Sequence, residues 1–200
     1  MHFIKSTAVL AALTSLVTAA PASSSSLSPA LSPSSCTTIY PTIARVDESL
    51  PQASYLPGFH VSQESSGSGK QDVFAEFTVP EGVWGCTLSY YFPAGEPVHN
   101  IGEGNGPPAV EVFSVTPAGL LSRTPRGIDI SWDNSPAKKN LVGSVQFESS
   151  PWQATSRVVN SFACESTMTY RLSVSEGQMG RAGVEFVQSE EAGLRMSYNC

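Results

Sequence analysis

Positive charge is scarce in this chain: 11 Lys and Arg stand against 17 Asp and Glu, a formal charge of −6. Lys138-Lys139 is the one adjacent basic pair, and the arginines are scattered. Phosphate backbones are held by clustered cations, so nucleic acid is not expected as a partner. Histidine is scarcer still, with 3 residues and no HxH or HExxH spacing, so no metal site and no cofactor is expected. A GxSxG nucleophile turn is missing, since Gly67-Ser68-Gly69 lies in a Ser/Gly run. No catalytic residue of the serine-hydrolase or metal type is therefore expected. No apolar run is long enough for a membrane helix, and no Asn-x-Ser/Thr acceptor occurs. With no hydrophobic tail after Cys200, a glycolipid anchor is not expected either.

What is present begins with a secretory leader. Lys5 gives the positive flank, Ala8 to Val17 the apolar run and Val17-Thr18-Ala19 the small-residue cleavage site, so 1–19 reads as a signal peptide. Its removal takes Lys5 and moves the formal charge from −6 to −7. The protein is expected outside the cell, secreted or in a cell wall, where disulfides persist. Residues 20–35 are Ser/Pro-rich and too polar to bury a core, a disordered spacer suited to O-linked sugar. The remaining 36–200 is long enough for a single domain with its own core, expected to be monomeric. It holds all 4 cysteines, Cys36, Cys86, Cys164 and Cys200, at spacings that fit neither a zinc site nor a redox dithiol. Two disulfides are expected, and all three pairings are open.

From Cys36 onward the apolar residues repeat with period two. Val73, Ala75, Phe77 and Val79 share one face, as do Cys86, Leu88, Tyr90 and Phe92. Met168 to Val174 alternates likewise, with Thr169, Arg171 and Ser173 outward. Shorter strands are expected at 37–43, 59–63, 110–115, 128–132, 144–147, 158–162, 184–187 and 194–198, with Pro/Gly/Asn turns between several of them. No helical period stands out. The expected fold is all-β: an antiparallel β-sandwich, immunoglobulin-like or jelly-roll-like, each sheet with one buried and one wet face. Cys86, on an apolar strand face, suits a bridge between sheets. Two loops, 64–70 and 96–108, are long enough to carry binding function.

Two sets of side chains are candidates for function. Trp84, Trp132 and Trp152 fall near strand ends or in loops, and Tyr91 lies opposite the apolar face of its strand. Aromatic rings stack on sugar rings, so these four are the candidate ligand-facing residues, Trp152 first among them. Trp84 and Trp132 also suit lids over the core. Asp72, Glu76, Glu111, Asp129, Glu148, Glu185, Glu190 and Glu191 would supply a glycosidase pair only if two of them faced each other across a groove, about 5–10 Å apart. Solvated surface acid is the alternative role for each.

Val73 to Pro80 (VFAEFTVP), Cys86 to Pro93 (CTLSYYFP), Phe162-Ala163-Cys164, Met168 to Ser173 (MTYRLS) and Gly193 to Cys200 (GLRMSYNC) together resemble the fungal But-type C-terminal domain family. The resemblance spans nearly all of 36–200. It implies a secretory leader, a low-complexity spacer and a Cys-containing β domain, with no catalytic residues to carry over. The family name comes from binding to a component of a ubiquitin-like conjugation pathway. The leader and four cysteines place this chain outside the cytosol, away from such a partner. The expected function is that of a secreted, non-enzymatic protein of the fungal cell wall or medium, binding a wall polysaccharide or an extracellular protein. The alternatives are a small glycan hydrolase using paired carboxylates and an effector that contacts a protein partner.

Overall fold

The computed structural model describes residues 36–54, 58–102, 106–116, 118, 121 and 129–200; the leader 1–19 and the spacer 20–35 lie outside them. Among the described residues there are 12 strands and no helix: β1 (Thr37–Ile39), β2 (Thr42–Asp47), β3 (Phe59–Gln63), β4 (Gln71–Thr78), β5 (Cys86–Phe92), β6 (His99–Gly102), β7 (Val110–Val115), β8 (Lys138–Val145), β9 (Thr155–Phe162), β10 (Thr167–Val174), β11 (Ala182–Phe186) and β12 (Gly193–Tyr198). They form an antiparallel β-sandwich. The smaller sheet runs β1-β12-β5-β9; the larger runs β6-β11-β3-β4-β10-β7-β8, with β2 also on β4.

The strand expected over 37–43 is broken by Pro41, which has no N–H for a ladder and pushes Tyr40 away from helical geometry. The chain changes sheets there: Thr37–Ile39 pairs with β12, while Thr42–Asp47 pairs with β4. The strand expected over 144–147 begins earlier, at Lys138. Residues 129–132 are not a strand; the Asn134 side chain accepts from Ser131 N and donates to Asp129 O, which holds a turn instead. Ile128 lies outside the described residues. One short strand, β6, forms inside the Gly/Pro-rich stretch read as loop.

Alternation on β3, β5, β11 and β12 delivers one apolar face from each sheet to a shared core. At its centre Phe59, Tyr90, Phe92, Phe147 and Phe186 make ring contacts with centroids 4.0 to 6.4 Å apart. Each such ring contributes about 1.5–3 kcal/mol through burial. The Tyr90 hydroxyl donates to Gln146 O at 3.1 Å, so the polar atom within the cluster is satisfied.

The disulfides pair Cys36 with Cys200 and Cys86 with Cys164. Cys164 lies in the connection from β9 to β10, where the chain passes from the smaller sheet to the larger. The bridge from Cys86 therefore ties β5 to the crossing between sheets. Loops of this size give about 4–5 kcal/mol per bridge in the chain-entropy account.

The expected wet face fails on the larger sheet. β4 and β10 are buried on both sides. A second apolar cluster of Ala44, Val46, Phe74, Val115, Leu121 and Ile130, with Trp132 packed against it, covers the far side. Thr169, Arg171 and Ser173 lie under that cover together with Asp72 and Glu76. The covering segment has no periodicity, so strand patterns alone gave no sign of it.

Candidate functional site

The four candidate aromatics do not converge. Trp132 is half-buried against the larger sheet, with the Arg171 guanidinium 5.0 Å from its ring. It acts as a lid over the second cluster. The other three belong to the smaller sheet. Trp84 precedes β5 and Trp152 precedes β9, whose Thr155 pairs with the far end of β5 at Phe92. The two tryptophans thus mark opposite ends of a strand about 20 Å long, and they are 58% and 89% exposed. Trp84 is held from behind: Asn199, in the left-handed region, donates its N–H to Trp84 O and accepts from Trp84 N.

Between these ends lies the outer face of the smaller sheet. Leu88, Tyr90, Leu194, Met196 and Tyr198 point into the core, so alternation puts Thr87, Tyr91, Arg195 and Ser197 on the other face, where Ser89 is itself buried. Register aligns Thr38, Ser197, Thr87 and Ser161 in one row across all four strands. Thr87 and Ser161 share a hydrogen bond of 2.9 Å. Two rows further on, Arg195 lies 4.1 Å over the Tyr91 ring. The face measures about 14 Å across, is nearly free of charge, and carries small hydroxyls beside one aromatic ring.

The acids are dispersed, and two are buried rather than solvated. Glu76 accepts from Leu121 N and Thr169 Oγ1, both at 3.0 Å. Asp72, four residues away on the same face of β4 and so about 13 Å distant, accepts from Arg171 Nε at 2.7 Å. Burial pushes the Asp72 carboxyl above its ordinary value, and Arg171 pulls it only part of the way back. Asp72 Oδ1 and Ser173 Oγ are buried without a hydrogen bond. Burial also lowers the Lys138 ammonium, against the pull of Asp72. Glu111 accepts from Ser175 Oγ at 2.8 Å. Asp129, Glu148, Glu190 and Glu191 are exposed.

Sequence patterns missed a cluster around Glu185. Register sets His60 and His99 on either side of it across β3, β11 and β6. His60 Nδ1 lies 2.9 Å from Glu185 Oε2, and its Nε2 lies 3.0 Å from Ser62 Oγ. The connectivity is that of a serine–histidine–acid chain, but Ser62 sits within a strand, paired with Gly183 on one side and Gln71 on the other. That place in a ladder is not the sharp, exposed turn on which such a nucleophile is presented. Both imidazole nitrogens are engaged, and no group of His, Cys, Asp or Glu among the described residues is placed to hold a metal ion. β2 and β3 separate beside this cluster, opening a cleft of about 470 Å³ lined by Ile43, Arg45, Phe59, His60, His99 and Glu185.

A second cleft opens where the edge strands of the two sheets meet. β8 and β9 cross without a ladder at Gly143, where a Cβ would stand 3.0 Å from Val159 Cγ1 and 3.1 Å from its carbonyl oxygen. Asn160 Nδ2 donates to Val142 O at 2.7 Å and pins the crossing. Beside it is a cavity of about 390 Å³, with Phe162 and Tyr170 in its wall and Glu165 as the one charged lining residue among the described residues.

No protein-family model matches this chain, and no curated protein matches it. The likeness to the But-type domain rests on the strand motifs alone.

Proposed function

We propose that the protein is a secreted, non-enzymatic binding module of the But-like kind that holds a cell-wall polysaccharide against the outer face of its smaller sheet. The observation that carries this reading is the hydroxyl row from Thr38 to Ser161, beside the Tyr91–Arg195 stack and between two exposed tryptophans. Hydroxyls on a flat sheet exchange hydrogen bonds with sugar hydroxyls, while aromatic rings take the apolar faces of pyranoses. An open face admits a chain of any length, as a polymer ligand requires. The two disulfides are compatible with an extracellular protein, and no helix among the described residues is long and apolar enough to cross a membrane. The leader and Ser/Pro spacer supply the route out of the cell and a tether. A glycan hydrolase finds less support, because Asp72 and Glu76 are separated along one strand and covered.

The test is retention of the purified domain on insoluble β-glucan, chitin and mannan, alongside Tyr91→Ala and Trp152→Ala. Retention on one polymer, weakened by about tenfold in Tyr91→Ala, is the expected outcome. Passage through all three polymers would discard the polysaccharide reading and turn the search to a protein partner.

A further inference from the structure

The cleft between β2 and β3 holds a cation that the fold leaves unpaired. Arg45 lines it and is half-buried. Its Nε is shut off from solvent without a hydrogen-bond partner, whereas its two Nη atoms keep accessible surface. Among the described residues no carboxylate forms an ion pair with it. A guanidinium cannot shed its proton to escape burial. A charge drawn out of water without a partner carries a penalty that a bound anion would relieve. Arg171 shows the contrast, since the fold itself supplies it with Asp72, Ser135 and Pro136. Glu185, the acid of the cleft, is held by His60 Nδ1 at 2.9 Å. His99, its neighbour in register, adds an exposed imidazole.

The rest of the lining decides what body the anion carries. Ile43, Pro97 and Val187 are apolar and keep accessible surface, Val187 being 67% exposed. The Gln188 amide is spent: Oε1 accepts from Leu194 N, and Nε2 donates to Ser189 O and Leu194 O. Both His60 nitrogens are spent likewise, on Glu185 and Ser62. Phe59 and Phe186 are buried beneath and offer a ligand no ring face. A ring bearing many hydroxyls would leave most of them without partners here, at a cost that an apolar body avoids.

We propose that this cleft binds an organic acid with an apolar body, its carboxylate on the Nη atoms of Arg45 and its body against Ile43, Pro97 and Val187. Guanidinium and carboxylate match in charge and in planar geometry. The cleft volume of about 470 Å³ falls within the range of small-ligand pockets. The site belongs to the larger sheet and is independent of the polysaccharide reading, which concerns the outer face of the smaller one.

The experiment is an NMR titration of the purified protein with hexanoate and phenylacetate, set against hexanamide, phenylacetamide, hexylamine and glucuronate. The two acids should bind and shift the amide signals of Ile43, Arg45 and Val187. Their amides and hexylamine should bind about tenfold more weakly, or not at all. Arg45→Gln should weaken the acids by about tenfold or more and melt no lower than the wild type, because it removes an unpaired charge. Val187→Glu, at an exposed position, should weaken them by about threefold or more through repulsion. Tyr91→Ala should leave them unchanged. Should Arg45→Gln melt lower, the effect of Val187→Glu decides. Amides as tight as acids, signals that shift elsewhere, or acids indifferent to both variants would overturn the proposal. Glucuronate as tight as hexanoate would overturn the apolar body and leave a sugar-acid site. Failure of both acids to bind would remove the site altogether.

Discussion

The outer faces of the two sheets start from similar material: alternating polar positions with an arginine over an aromatic ring. On the smaller sheet Arg195 lies 4.1 Å over Tyr91, on the larger Arg171 lies 5.0 Å from Trp132. What separates them is cover. Among the described residues Thr38, Thr87, Ser161 and Ser197 all keep exposed surface, whereas Leu121, Ile130 and Trp132 close over Arg171. Arg171 consequently serves stability: it neutralises Asp72, donates to Ser135 Oγ and Pro136 O, and ties the covering loop to β10. Arg195 keeps part of its surface exposed. The same side-chain motif is a buried clasp on one sheet and a half-exposed stack on the other.

The sharpest way to break this contrast is to remove both arginines separately. Arg171→Ala strands a buried Asp72 carboxylate and should cost about 3–5 kcal/mol in urea unfolding. Combining it with Asp72→Leu should recover much of the loss, since a paired charge is then exchanged for apolar volume. Trp132→Ala, which opens the lid, should cost about 2–3 kcal/mol, whereas Trp152→Ala should stay within about 0.5 kcal/mol while altering polymer retention. Arg195→Ala should lower stability by less than about 1 kcal/mol, and a larger loss would mean that the smaller sheet's face is structural too.

Acidity probes the same buried pair. The folded-state pKa of Asp72 is raised above 3.8, so the folded protein binds this proton more tightly than the unfolded chain. The contribution of Asp72 to stability therefore grows as pH falls through its raised value and levels off below its ordinary one. Urea midpoints of the wild type and Asp72→Asn, compared across that window, should shift in favour of the wild type on acidification. A shift in the opposite direction would mean that Arg171 outweighs burial.

How much of this was legible in the sequence follows from what each feature depends on. β4, β5 and β10 were readable because their alternation is local and uninterrupted. The passage between sheets at Tyr40-Pro41 was hidden, since apolar and β-branched residues continue across it and only the missing proline N–H marks the break. Arg171 and Ser173 looked solvent-facing because alternation reports a face, not what covers it. The carboxylates of Asp72 and Glu76 were misplaced for the same reason. Trp84 and Trp152 lie just before β5 and β9, but the division of Trp132 from Trp84, Tyr91 and Trp152 depends on sheet membership. His60 meets Glu185 across 125 residues of sequence, and Phe162 meets Tyr170 only because β9 and β10 belong to different sheets. Neither spacing carries a local signal.

Cys36 and Cys200 turn the domain into a covalent loop. Any single backbone cut between them yields two fragments, one carrying each cysteine, which stay joined through sulfur. A protease that clips the exposed 64–66 turn or the tip at Met179 therefore produces a nicked molecule of unchanged mass apart from one added water. Damage of this kind becomes visible only once the disulfides are reduced.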